Sequence, residues 1–116
     1  MKNELLKQVH VDELQPTDIN LESTTLNFYA NTFPLLRNVP VPEIWVLSGK
    51  MYIVDGHKQI RDNYNRGRYS FLAKCIVPEE LTIGKDAYGY VLALILEKAK
   101  IAERKGYRHI RDLPIV

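Results

Sequence analysis

The sequence predicts an α+β fold, a small mixed β-sheet packed with about three helices in a single domain spanning residues 1–116. Three observations lead there. Glu43 to Val54 reads as two short apolar strands around Ser48-Gly49-Lys50, the signature of a hairpin. The second of these strands stops at Asp55-Gly56 and opens at once into a helix. A second, longer helix is expected near the end of the chain, at about residues 86–105. The 116 residues suffice for one core and are too few for two.

Taken in order, Val9-His10-Val11 suggests a short strand. Residues 12–18 form a turn-rich connection broken by Pro16. The apolar spacing of Leu21 to Phe33 suits a helix, closed by Pro34. Val39-Pro40-Val41-Pro42 is a stiff, extended entry to the hairpin. The next helix covers His57 to Arg66, with Gly67 as its C-terminal stop. Tyr69 to Val77 is a further strand, ended by Pro78. Asp86 is placed to cap the last helix, and Gly106 to end it. The middle of that helix, residues 90–96, is apolar all round, which calls for burial in the core or against a second copy of the chain.

Composition narrows the classes. Net charge is +2, too small to demand a nucleic-acid partner. Its distribution is uneven: residues 1–36 sum to −3 and the remainder to +5. Lys58, Arg61, Arg66 and Arg68 form a basic stripe on and after the helix that follows Gly56. The single cysteine, Cys75, rules out an intrachain disulfide and reads as a core residue. His10 and His109 lack metal-ligand spacing and read as structural, so no metal site is expected. No apolar run approaches the ~20 residues of a membrane span, and no signal peptide is visible; a cytoplasmic protein is expected.

The chemistry centres on Tyr52-Ile-Val-Asp-Gly-His-Lys-Gln-Ile-Arg61. A glycine turn opening a helix leaves first-turn N–H groups without partners, and such groups favour phosphate. Gly56 supplies the backbone freedom for the turn. His57 is expected to offer its backbone N–H, and its ring when protonated. Lys58 and Arg61 are candidate phosphate cations. Gln59 is a neutral donor, and Asp55 would hold a ribose hydroxyl, a metal ion or the turn itself. Ser48-Gly49-Lys50 lacks the glycine-rich run of a P-loop.

Residues 41–77 resemble the core of the ParB/sulfiredoxin superfamily. The matching residues are Pro42, Val46, Gly49, Tyr52, Val54, Asp55, Gly56, His57 and Lys58, followed by Gly67 and the strand from Tyr69. With an opening similar to Leu14-Gln-Pro16, the resemblance covers about residues 8–78. It implies nucleotide binding at the strand–turn–helix, with ATP, ADP or CTP and Mg²⁺ as cofactors. The nearest branch in motif is that of the free serine kinases. There Leu14-Gln-Pro-Thr-Asp18 makes Asp18 the candidate catalytic carboxylate, poised on a small hydroxyl substrate during phosphoryl transfer.

Departures set the alternative. No cysteine stands near Asp55-Gly56-His57, which argues against sulfiredoxin chemistry, and Gln59 falls where the family places an arginine. The expectation is therefore a nucleotide-binding domain that acts, if an enzyme, as a phosphotransferase. The alternative is a non-catalytic, ParB-like DNA-associated or regulatory module with a degenerate nucleotide site and weak, salt-sensitive DNA binding. A homodimer through residues 90–96 is a further expectation.

Overall fold

The computed structural model describes residues 4–21, 41–77 and 85–116. The fold is α+β, built on a five-stranded mixed sheet. Its strands are β1 (Glu4–His10), β2 (Leu14–Gln15), β3 (Glu43–Leu47), β4 (Lys50–Asp55) and β5 (Ser70–Ile76), with helices α1 (His57–Asn65) and α2 (Lys85–Arg104). The spatial order is β1-β5-β3-β4-β2. β1 runs antiparallel to β5 and β3 antiparallel to β4; β3 with β5 and β2 with β4 are parallel.

The hairpin forms as its sequence requires. Leu47 pairs with Lys50, so the loop is the two residues Ser48 and Gly49, both at positive φ (50° and 79°). That is the turn whose twist matches paired strands. Alternation along β4 divides the interior. Met51 and Ile53 face the main core, with Ile44, Ile60 and Phe71. Tyr52 and Val54 face a smaller cluster with Ile95 and Ala99 of α2. The sheet therefore lies between α1 and α2, and β4 is covered on both faces.

β1 is longer than the expected Val9–Val11, and Val11 belongs to a 3-10 turn (Val11–Glu13) capped by the His10 ring. The His10 ring accepts the Asp12 N–H, which stops the strand one residue early. α2 begins at Lys85, so Asp86 lies inside the helix and is not its cap. The helix expected from Leu21 to Phe33 lies outside the described residues beyond Leu21. Leu21 is fully buried and bonds the C-terminal segment, donating to Pro114 O (2.9 Å) and accepting from Val116 N (2.8 Å). Among the described residues, no helix is long and apolar enough to cross a membrane.

Candidate functional site

β4 ends at Asp55, and Gly56 turns the chain into α1 with φ of 96°. A β-bulge at the Glu43/Ile44 step precedes this turn and re-aims the end of β4. Only glycine suits the turn. A Cβ there would meet the Pro42 Cα and Cβ at 3.1 Å, on backbone that L residues rarely adopt. The N-cap residue, Gly56, has no side chain with which to cap α1. The first intrahelical bond runs from Ile60 N–H to Gly56 O (2.9 Å), which leaves the earlier first-turn N–H groups to whatever lies before the helix.

What lies there is an open cleft of about 190 Å³, lined by Thr17, Asp18, Val54 to Lys58, Ile95 and Lys98. Three parts of the chain build it: the segment after β2, the β4–α1 turn, and α2. The structure thus brings together Asp18, Asp55, Gly56, His57 and Lys58 of the expected site. Thr17, Ile95 and Lys98 were not foreseen. Thr17 adjoins the Leu14-Gln-Pro motif, but nothing in the sequence marks Lys98.

Two expected residues lie elsewhere. Gln59 is buried within the α1 layer and does not line the cleft. Arg61 is occupied by the C-terminal segment. Its Nη1 donates to Ile110 O (3.1 Å) and Leu113 O (2.9 Å), and its Nε to Asn65 Oδ1 (3.3 Å). Five fixed donors in a fork suit such carbonyl clamping, and this one staples the tail to α1. The basic stripe is also broken up at Arg66, whose Nε pairs with Asp62 Oδ2 at 2.9 Å.

His57 departs from its expected role as a protonated donor. Its ring is buried, and Nε2 accepts the Thr17 backbone N–H at 2.9 Å. Thr17 Oγ1 in turn donates to Ile53 O, tying the segment before Asp18 to β4. Burial holds the imidazole well below the usual histidine range, at about 4, against the opposing pull of the Asp18 and Asp55 carboxylates. With Nε2 accepting, the proton of the neutral ring sits on Nδ1, 3.9 Å from Asp18 Oδ2. The Asp18 carboxylate is half exposed at the cleft rim.

The electrostatics of the cleft are mixed. Lys58 and Lys98 bring positive charge, Asp18 and Asp55 negative. The start of α1 adds partial positive charge. This set is suited to an anion at the helix start with a polar or cationic group beside the carboxylates. Among the described residues, no three or more His, Cys, Asp or Glu side chains are grouped to hold a metal ion by themselves. Cys75 is buried, and burial raises its thiol, so it behaves as a core residue.

No protein-family model matches the chain, and no curated protein matches it. Among solved structures, the fold is similar to the crystal structure of protein Atu1540 from Agrobacterium tumefaciens, with a TM-score of 0.58 and 13% sequence identity. The match covers 95% of this chain and 61% of that one. At this identity the likeness concerns the fold alone.

Proposed function

We propose that the chain is a nucleotide-binding domain that seats phosphate at the start of α1, as its resemblance to the ParB/sulfiredoxin superfamily implies. One observation carries the reading: a helix start whose N-cap is a glycine at φ 96°, with no side chain to offer, opens into a polar cleft flanked by Lys58 and Lys98. Free first-turn N–H groups and the helix dipole both favour an anion there. The two lysines come from different elements, so they can contact different phosphate oxygens.

Mg²⁺ fits as a companion of the nucleotide. It is held by one or two carboxylates together with substrate phosphates, and Asp18 and Asp55 both line the cleft. When bound, it would neutralise phosphate charge and help orient a transferring group. Phosphoryl transfer to a small hydroxyl compound is the proposed activity, with Asp18 beside the attacking oxygen. Neither Gln59 nor Arg61 is assigned a part in it.

Titration calorimetry with ATP, ADP and CTP, with and without Mg²⁺, tests the reading. Saturable micromolar binding that weakens in the Lys58→Ala, Lys98→Ala double variant supports it. Absence of binding to all three nucleotides overturns it. Of the basic stripe that motivates the DNA-associated alternative along with Gln59, Arg61 and Arg66 are held by intramolecular contacts. Homodimerisation through residues 90–96 keeps one observation in its favour: Leu94 is 44% exposed on α2, while Ile95 is buried against the sheet. A monomer by sedimentation at high concentration would remove it.

A further inference from the structure

The His57 ring and the Asp18 carboxylate face each other across a gap that neither fills. The separation of 3.9 Å between Nδ1 and Oδ2 is too long for a direct N–H···O bond. It is a fitting separation for one intervening oxygen. An oxygen ~2.8 Å from both atoms would see them at roughly 90°, within the range a hydroxyl tolerates.

The two flanking atoms have opposite roles. Thr17 N–H donates to Nε2 at 2.9 Å, so the neutral ring must carry its proton on Nδ1. Thr17 Oγ1 donates to Ile53 O, which fixes the loop that presents this amide. Asp18, when ionised, only accepts. A hydroxyl oxygen meets both demands at once, accepting from Nδ1–H and donating to Oδ2. A phosphate or carboxylate oxygen could accept from Nδ1–H but would repel Asp18. A cationic amine could reach Asp18 but has no lone pair for Nδ1–H.

Exposure places this pair at the cleft. The His57 side chain is only 8% exposed, yet among the described residues its ring hydrogen bonds are made at Nε2 and none at Nδ1. Among the described residues, no sealed side-chain nitrogen or oxygen lacks a partner. Nδ1 is therefore the edge of the ring that meets the cleft.

We infer that His57 Nδ1–H and Asp18 Oδ2 bracket a subsite for a single hydroxyl oxygen, and that the Thr17 amide selects for it by fixing the His57 tautomer. His57 is thus a donor that positions a hydroxyl and does not take its proton. The subsite stands on its own geometry; only its use, presenting a hydroxyl to phosphate, rests on the nucleotide reading. The oxygen is water or the hydroxyl of a small alcohol.

Imidazole ¹⁵N NMR of the intact chain, without nucleotide, tests the inference apart from that reading. The charged groups facing the ring are Asp18, Asp55, Lys58 and Lys98, and all remain in place in the unaltered protein. Near neutrality the expected spectrum has a protonated Nδ1 and a bare Nε2. Asp18→Asn, a change at a half-exposed side chain, should move the Nδ1–H resonance and leave Nε2 in position. Added glycerol separates the two sources. Movement of Nδ1–H assigns the subsite to a ligand hydroxyl, and no movement with the tautomer intact assigns it to water; both support the subsite. An Nε2–H tautomer, an imidazolium near neutrality, or an Nδ1–H indifferent to Asp18→Asn would overturn it. Loss of nucleotide binding with this spectrum intact would instead count against the phosphate reading alone.

Discussion

Two buried histidines, His57 and His109, each accept a backbone N–H on one ring nitrogen and turn the other towards an aspartate. In His109 the contact closes. Nδ1 accepts Arg111 N–H at 3.1 Å, and Nε2 lies 2.8 Å from Asp12 Oδ1. That hydrogen bond lowers the Asp12 carboxyl. The ring also packs edge-on against Tyr64, with centroids 5.2 Å apart. In His57 the amide comes from Thr17, 40 residues away, and the aspartate stands off at 3.9 Å. The first arrangement is complete and joins the C-terminal 3-10 turn to the one after β1. The second is incomplete and opens on a cleft. The same residue types make a clasp where the gap is closed and a candidate site where room is left for one more atom.

The largest expected effect separating the two is acid destabilisation through His57. The unfolded ring takes its proton near 6.5, the folded ring only at about 4. Between those values the unfolded chain binds more protons, so stability rises with pH across the window. It is complete above about 6.5 and lost as pH falls towards 4, by on the order of 3 kcal/mol. Urea unfolding at several pH values should show this slope, and His57→Gln should flatten it.

Truncation comes next. His57→Ala strands the buried Thr17 amide and empties a buried volume; His109→Ala removes a cap and the Tyr64 contact. Each should cost about 2 kcal/mol in denaturant unfolding. The difference between them should appear in binding, with nucleotide affinity disturbed by the first and kept by the second. Gly56→Ala should cost about 1–2 kcal/mol, from strain at φ 96° and the approach to Pro42. The smallest effect on stability should come from Lys58→Ala with Lys98→Ala, within about 0.5 kcal/mol by thermal melting. The same pair should weaken nucleotide binding by about tenfold or more.

Local signals were legible in the sequence, and long-range ones were not. Ser48-Gly49 fixes the hairpin, and Gly67 and Gly106 end their helices at φ of 77° and 83°, because turn chemistry acts between neighbours. The start of α1 was legible for the same reason. β1 exceeds the strand that the sequence suggests because the adjacent Leu5 and Leu6 break the alternation in its first half. The cleft itself depends on three distant segments meeting. In the sequence Lys98 is one charge among several at the end of a helix, and it reaches the cleft only because α2 docks on Tyr52 and Val54. Arg61 looked like a phosphate ligand because its carbonyl partners, Ile110 and Leu113, lie about fifty residues away.

The proposal turns on one contrast: the start of α1, beside the open His57–Asp18 pair, is expected to seat phosphate, and the closed pair around His109 is not. Amide ¹H–¹⁵N NMR during titration with ADP and Mg²⁺ tests it most directly. Saturable movement of the Gly56, His57 and Lys58 amides is expected, with His109 and Arg111 unmoved. Shifts confined to the His109 side, or none at all, would contradict it.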